Sequence, residues 1–242
     1  MIYITGDTHI PYDVAKLTTQ AFPEQRRLHK NDYVIICGDF GGVWAGPRGA
    51  DRFWLNWFGR KKFTTLFLDG NHENFDLLNR YPVTCWNGGK VHRITDSVIH
   101  LMRGQLYTLE GSTFFVLGGG ASGDVEFRTE GVSWWKEEMP CEREYGEAMQ
   151  TLLAANFQVD YVLTHTAPLS IVRQFRKRES EEELNRFLEE IDRRLQYKRW
   201  YFGHVHHDVD VDEKHTAVYQ HLLCPPQNQE HFQQEEGKPW KT

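Results

Sequence analysis

The sequence predicts a layered α/β fold, with mixed α+β character, in which helices cover mixed β-sheets. Short runs of the buried-strand type alternate with stretches of helical period, the pattern of helices packed on sheets. The clearest strand runs are residues 1–5, 33–37, 64–68, 161–163 and 200–202. A chain of 242 residues with 40% hydrophobic residues supplies one sizeable core, so we expect a single domain over residues 1–224.

Three further segments in the middle of the chain are predicted to be antiparallel strands. They are residues 97–102, 105–109 and 113–117, and the turns expected to join them are Arg103-Gly104 and Glu110-Gly111. Antiparallel strands beside the buried-type runs would make the sheets mixed.

The clearest helix is predicted to begin at Ser180, whose hydroxyl can cap the first turn while Glu183 reciprocates. Its apolar stripe consists of Leu184, Phe187, Leu188, Ile191 and Leu195. We interpret this stripe as facing the core rather than a partner.

Two segments show no regular period. The glycine-rich segment 118–123 lacks the Lys-Ser or Lys-Thr that completes a phosphate-binding loop, and we expect a flexible turn or lid there. Residues 225–242 are polar and rich in Gln and Glu, so we expect a C-terminal tail that frays or lies on the surface.

Composition narrows the class of protein. No apolar run approaches the roughly 20 residues of a membrane span, and a strand from the first residue leaves no room for a signal peptide. The four cysteines are far apart and include no Cys-x-x-Cys pair, which argues against a disulfide framework or a zinc-thiolate site. We therefore expect a cytoplasmic protein without a membrane partner. A net charge of −6 provides no basic field for long nucleic acid.

Five short motifs place oxygen and nitrogen side chains where strands are expected to end. They are Gly6-Asp7-Thr8-His9, Gly38-Asp39, Gly70-Asn71-His72-Glu73, Thr164-His165 and Gly203-His204-Val205-His206. Each alone is typical of a strand-end turn, whereas the set predicts a hydrolase with two metal ions roughly 3.5 to 4 Å apart. Asp39 is the natural bridging ligand because its two oxygens can contact different ions. Ligands without thiolates suit two divalent ions of Mn or Fe, or Zn, better than Ca²⁺.

The order of these motifs resembles the calcineurin-like metallophosphoesterase superfamily, from Gly6 to His206. The resemblance implies a βαββ-type sandwich of two mixed sheets flanked by helices, with the metals at the strand ends. It also implies two ligand sets: Asp7, His9, Asp39 and His206 for one ion, and Asp39, Asn71, His165 and His204 for the other. In that scheme a hydroxide bridging the metals is the nucleophile, and His72 faces the leaving group as general acid.

The second motif departs from the Ser/Thr protein phosphatases of this superfamily. Their block reads Gly-Asp-x-x-Asp-Arg, and Gly42 and Val43 stand where the His-orienting acid and the phosphate-binding arginine would be. This difference disfavours a protein phosphatase of that type and leaves open which group orients His72.

Other residues must then contact the substrate. The candidate cations are Arg48, Arg52, Arg103 and Arg128, although each is also typical of a solvated surface arginine. Trp44 follows the bridging Asp39 on a loop containing glycine and proline, and we expect it to wall the pocket and stack on a base or aromatic group.

The leading hypothesis is a dinuclear metal-dependent phosphoesterase acting on a small phosphate mono- or diester, such as a nucleotide. The alternatives are a nuclease or cyclic-nucleotide phosphodiesterase, a Ser/Thr-type protein phosphatase, and a metal-binding scaffold without catalysis. The sequence favours none of the ester substrates over the others and leaves the oligomeric state open.

Overall fold

Each half of the chain forms one six-stranded sheet, and the two sheets pack face to face. The computed structural model describes residues 1–46, 49–175 and 181–226. Three predictions lie outside the described residues: the Ser180 cap, a substrate contact from Arg48, and the tail from residue 227 onward. The division into a domain and a tail at residue 224 therefore stays a prediction.

The first sheet carries the first three motifs. Its strands are β1 (Ile2–Thr5), β2 (Tyr33–Cys37), β3 (Thr64–Leu68), β4 (Val83–Trp86), β5 (Gly89–Thr95) and β6 (Val98–Leu101). Their order is β1-β2-β3-β6-β5-β4. The first three pairs in this order are parallel, and the last two are antiparallel.

The second sheet carries the last two motifs. Its strands are β7 (Gln105–Leu109), β8 (Ser112–Leu117), β9 (Tyr161–Thr164), β10 (Arg199–Phe202), β11 (Val209–Asp210) and β12 (His215–Ala217). Their order is β11-β12-β10-β9-β8-β7. Only the outermost pairs, β11-β12 and β8-β7, are antiparallel.

Helices cover the outer faces of both sheets. They are α1 (Ala50–Gly59), α2 (Phe75–Leu78), α3 (Glu142–Ala154), α4 (Leu169–Val172) and α5 (Glu182–Arg194). None of these helices in the described ranges is long and apolar enough to cross a membrane. The predicted sandwich of two mixed sheets flanked by helices is confirmed.

Three apolar clusters hold the layers together. Ile35 and Leu66 of the first sheet meet Leu163 of the second between the sheets. The predicted stripe of α5 packs on the outer face of the second sheet, where Leu188 joins the cluster that contains Trp200. Burial on both faces explains why β2 and β3 read as continuous apolar runs rather than alternating ones.

One predicted turn is wrong. We expected Arg103-Gly104 to join two antiparallel neighbours, but β6 pairs with β3 and β5, whereas β7 pairs with β8. Arg103-Gly104 therefore carries the chain from one sheet to the other. The Glu110-Gly111 turn does join an antiparallel pair, β7 and β8, as predicted. Local periodicity indicates that a segment is a strand but does not identify its pairing partner.

Four strands were not predicted from the sequence. The side chains of β4 are exposed or half-buried, so they show no apolar run. The two residues of β11 and the three of β12 are too short to show a period. β5 lies between β4 and β6 and has an irregular register between Arg93 and Thr95, which breaks its alternation.

Candidate metal centre

The predicted ligands lie at the carboxyl ends of five strands. In strand order they are Asp7 and His9 after β1, Asp39 after β2, Asn71 after β3, His165 after β9, and His204 and His206 after β10. Within each sheet these strands are parallel neighbours, so their carboxyl ends share one edge. The two edges meet and bring all seven side chains together.

Glycines allow the two edges to touch. A Cβ on Gly38, whose φ is +88°, would lie 2.0 Å from Nδ1 of His165. A Cβ on Gly70 would lie 2.1 Å from Oδ1 of Asp39. Any side chain at either position would displace a predicted ligand. This close approach explains why glycine occupies both positions.

Two groups of side chains could each hold a cation. The first group is Asp7, His9, Asp39 and His206, and the second is Asp39, His165 and His204. Within each group the ligand atoms lie within 4.8 Å of one another. Oδ1 of Asn71 lies 3.1 Å from Nε2 of His165 and can join the second group. Carboxylate, amide and imidazole donors around a shared Asp39 fit a pair of divalent transition metals.

The backbone bends sharply at four of the ligands. His9, Asp39, His204 and His206 have positive φ values of 33°, 48°, 66° and 55°. Residues other than glycine seldom adopt this left-handed conformation, and such strain clusters at functional sites. The bend at His9 is what lets both Asp7 and His9 face the same group.

Asp13 and Tyr219 orient the imidazoles of the first group. Nδ1 of His9 lies 2.8 Å from Oδ2 of Asp13, and Nε2 lies 3.0 Å from Asp39. Tyr219 donates its hydroxyl to Asp13 at 2.9 Å, and its ring stacks on His206 with centroids 4.8 Å apart. A carboxylate on Nδ1 fixes the tautomer that presents Nε2 to a metal.

Glu181 plays the same role in the second group. Oε2 of Glu181 lies 3.1 Å from Nε2 of His204. The carboxylate is buried and also accepts the Thr166 hydroxyl at 2.6 Å and the Ala121 amide at 3.0 Å. Burial alone would raise the pKa of Glu181, but the adjacent His204 outweighs it and lowers the pKa to about 2. The charged form of Glu181 is thus built into the site.

The two buried aspartates differ in the charge that surrounds them. Burial raises the pKa of Asp7 to about 6, against the opposing effect of His165. Burial would also raise the pKa of Asp39, but the imidazoles of His165 and His9 hold it well below its usual range. A divalent cation beside Asp7 would supply the positive charge that its ionised form lacks.

A buried lysine fixes the bend after β1. The ammonium of Lys16 donates to the carbonyl oxygens of Gly6 at 2.6 Å and Asp7 at 2.7 Å. Burial lowers the pKa of Lys16 to about 8. Lys16 thereby stabilises the backbone that carries the first ligand.

His72 is held beside Asp39 and Arg128. Its amide donates to Oδ1 of Asp39 at 2.7 Å, and its Nδ1 lies 3.3 Å from Nη1 of Arg128. Burial lowers the pKa of His72, with Arg128 adding to the effect and Asp39 opposing it. Glu73 turns elsewhere: it accepts the Phe40 amide at 2.7 Å, and burial raises its pKa to about 8. Among the described residues, Arg128 therefore makes the hydrogen-bond contact with the ring of His72, and the ring of His9 packs edge-on against it.

A cavity of about 140 Å³ opens over the ligands. Its lining residues are Asp39, Asn71, His72, Ala121, Ser122, Gly123, Asp124, His204 and His206. The glycine-rich segment expected to be a turn or lid thus forms one wall. A larger open groove of about 620 Å³ borders Lys30, Tyr33 and Thr64 at the opposite ends of the strands, away from the ligands.

The predicted substrate-contacting residues lie in different places relative to the cavity. Arg103 is buried, with Nε donating to Asp69 at 2.7 Å, and Arg52 is exposed on α1. Trp44 packs edge-on against Trp135 and does not line the cavity. Of the predicted arginines within residues 1–46, 49–175 and 181–226, Arg128 is the one that contacts the cavity wall.

Sequence reasoning missed the residues that orient the ligands. They are Asp13, Lys16, Ser122, Glu181 and Tyr219. Asp13 lies four residues after His9, a spacing that could have drawn attention to it. Glu181 lies in a run of charged residues that resembles a solvated surface, so nothing local distinguishes it.

Comparison with known proteins agrees with this geometry. A family model described as calcineurin-like phosphoesterase matches residues 1–208, which include every predicted ligand. No curated protein matches the chain with significance.

Proposed function

The chain belongs to the calcineurin-like phosphoesterase family, and on that premise we propose that it hydrolyses small phosphate esters with two divalent metal ions. Mn or Fe, with Zn as the third choice, suits the mixed oxygen and nitrogen ligands. When bound, the ions would activate a water molecule and neutralise charge on the phosphoryl oxygens.

One observation carries the proposal: Asp39 belongs to both ligand groups, and His72 lines the same cavity. The amide bond from His72 to Asp39 fixes the backbone of His72 next to the shared carboxylate. A ring N–H donor and the shared carboxylate thus border the same cavity, in which a phosphoryl group would fit.

Each residue then has a defined task. The ligands would hold the two cations, which would bind the phosphoryl oxygens when present. The contact of Arg128 with Nδ1 keeps the ring of His72 neutral, so His72 donates a hydrogen bond from Nε2–H to the leaving oxygen. A P–O bond forms to the water oxygen, and the P–O bond to the leaving group breaks, with its electron pair remaining on the leaving oxygen. The proton of the attacking water passes to solvent, and the leaving oxygen takes up a proton from solvent. The products are an alcohol and a phosphate for a monoester.

The size of the cavity favours a small substrate. About 140 Å³ holds a phosphoryl group and the first atoms of a leaving group, so the remainder of the substrate would lie at the mouth. A net charge of −6 does not favour long nucleic acid. Nucleotides and other small phosphate esters fit these limits.

The test compares metal-loaded and metal-stripped protein on an aryl phosphate and on a bis-aryl phosphate. We expect hydrolysis after addition of Mn²⁺. Chelation should abolish the activity, and fresh Mn²⁺ should restore it. His72→Ala should keep both ions but lose turnover, most of all on alkyl phosphates, because their leaving oxygen carries the most negative charge for the Nε2–H group to stabilise.

Arg52→Ala is a matched surface control, since Arg52 is exposed on α1. Metal-loaded protein without hydrolysis of any ester would favour the scaffold alternative. Full activity of metal-bound His72→Ala on alkyl phosphates would contradict the role of His72.

A further inference from the structure

Arg128 is anchored at the cavity by its neighbours. Nε donates to Oδ1 of Asp124 at 2.7 Å, and Nη1 donates to the carbonyl oxygen of Ser133 at 3.0 Å. The side chain is 20% exposed, and Asp124 lines the cavity. These bonds fix the plane of the guanidinium next to His72.

The chemistry of the two side chains fixes the direction of their contact. A guanidinium can only donate, so Nδ1 of His72, at 3.3 Å from Nη1, must accept. The neutral ring then carries its proton on Nε2. This is the opposite arrangement to a histidine whose Nδ1–H is held by a carboxylate.

The second terminal nitrogen of Arg128 remains available. Nε and Nη1 make the bonds to Asp124, Ser133 and His72, whereas Nη2 donates no hydrogen bond within residues 1–46, 49–175 and 181–226. A planar guanidinium with two free N–H groups is suited to an anionic oxygen.

We propose that Arg128 orients His72 through Nη1 and binds a phosphoryl oxygen through Nη2, and so selects phosphomonoesters. The proposal rests on the phosphoesterase function above. It assigns two tasks to one side chain: orienting His72 and binding the phosphate. Gly42 and Val43 have no polar side chain for either task.

The selectivity follows from counting oxygens. A phosphomonoester has three non-bridging oxygens and a diester has two. If each bound cation took one of these oxygens, only a monoester would keep one for the guanidinium. The extra positive charge of Arg128 also favours the dianion of a monoester over the monoanion of a diester.

The kinetic test compares Arg128→Gln and Arg128→Lys with Arg143→Gln. Arg143 is the matched control because it forms a similar i,i+4 ion pair, with Glu147, on the exposed surface of α3. We expect Arg128→Gln to lower kcat/KM for the monoester about 10- to 100-fold, the loss of one charged hydrogen bond. The diester value should change less than about threefold, and Arg128→Lys should recover part of the monoester value because it keeps the charge.

A spectroscopic readout is independent of turnover. Long-range ¹H–¹⁵N spectra of the full chain at pH 8, metal-free and Zn²⁺-loaded, report which imidazole nitrogen carries the proton. We expect the His72 signal, assigned with His72→Gln, to show the Nε2–H form in the wild type and a shift towards Nδ1–H in Arg128→Gln. Thermal unfolding of each variant separates this effect from loss of the fold.

The outcomes are distinct. An unchanged monoester-to-diester ratio in Arg128→Gln, or a His72 ring with Nδ1–H in the wild type, would overturn the proposal while leaving phosphoesterase activity intact. Absence of hydrolysis in the wild type would instead refute the proposed function, and the tautomer of His72 would still decide whether Arg128 orients it.

Discussion

Nδ1 of His165 donates to the carbonyl oxygen of Cys37 at 2.9 Å, although 128 residues separate them. Cys37 is the last residue of β2 in the first sheet, and His165 follows β9 in the second. This bond joins the two sheets at the edge where the ligands lie. It also turns Nε2 of His165 towards Asn71, so the same contact that closes the sandwich builds the metal centre.

The approach of the sheets depends on Gly38. We expect Gly38→Ala to destabilise the protein and weaken Mn²⁺ binding, because its Cβ would lie 2.0 Å from His165. Gly111→Ala is the control: φ there is +79°, but no atom lies within 4 Å of the added Cβ. The control measures backbone strain alone, about 1 to 2 kcal/mol. Chemical denaturation and calorimetric titration would check both, and equal losses would show that the contact with His165 is unimportant.

Asp39 is expected to be required for both ions. Asp39→Asn removes the shared carboxylate, so metal content should fall from about two ions per chain to less than one, with activity falling in parallel. Asp96→Asn, at an exposed aspartate, should leave both unchanged. Elemental analysis after dialysis measures the stoichiometry. Two tightly bound ions in Asp39→Asn would argue against a bridging role.

Glu181 is expected to support His204. Glu181→Ala removes the carboxylate 3.1 Å from Nε2 of His204, and losses of this kind lower metal affinity about 10- to 100-fold. Glu182→Ala is the neighbouring control, since Glu182 pairs with exposed arginines of the surface. Competition with a fluorescent chelator gives the affinities. The interpretation would be wrong if the two variants bound metal equally well.

Tyr219 should contribute through two separable contacts. Tyr219→Phe loses the hydrogen bond to Asp13 but keeps the stacking on His206, whereas Tyr219→Leu loses both. We expect a severalfold loss of Mn²⁺ affinity in the first and about 10- to 100-fold in the second. Tyr12→Leu, at a side chain that is 84% exposed, is the control. Equal Mn²⁺ affinities of the wild type and all three variants in titration calorimetry would refute this role.

Glu138 should make stability depend on pH. It is buried, its Oε1 has no hydrogen-bond partner among the described residues, and burial raises its pKa to about 7. The folded state therefore keeps a proton that the unfolded chain loses near pH 4.5, so this contribution is full below that pH and is lost as the pH rises to about 7.

Glu138→Gln imitates the protonated form. The variant should gain stability relative to the wild type between pH 5 and pH 8, by about 2 to 4 °C in Tm for each kcal/mol. Thermal unfolding at the two pH values measures the difference in Tm between Glu138→Gln and the wild type. Other titrating groups are the same in both proteins, so their effects cancel in this difference. A constant difference between the two proteins would contradict a raised pKa of Glu138.

Local patterns in the sequence were sufficient for the strands that carry the ligands. Continuous apolar runs identified β2, β3 and β10, and the glycine motifs after them marked the strand ends. The stripe of α5 likewise predicted its buried face. These features depend on burial and backbone conformation of a few consecutive residues, which the sequence encodes directly.

The pairing of strands depended on contacts that local patterns do not encode. β6 and β7 are both strands, yet they lie in different sheets, and the segment between them crosses the sandwich. Only the competition among all strands for partners decides such a pairing.

The sequence by itself determined which residue types could bind metal, and where along the chain each follows a strand. The tertiary structure alone decided that Arg128 meets His72 across 56 residues, and that Glu181 and Tyr219 orient the ligands. The physical reason is that the strand and the turn motif beside a ligand can be recognised in the local sequence. An orienting side chain is defined only by the distant group that it contacts.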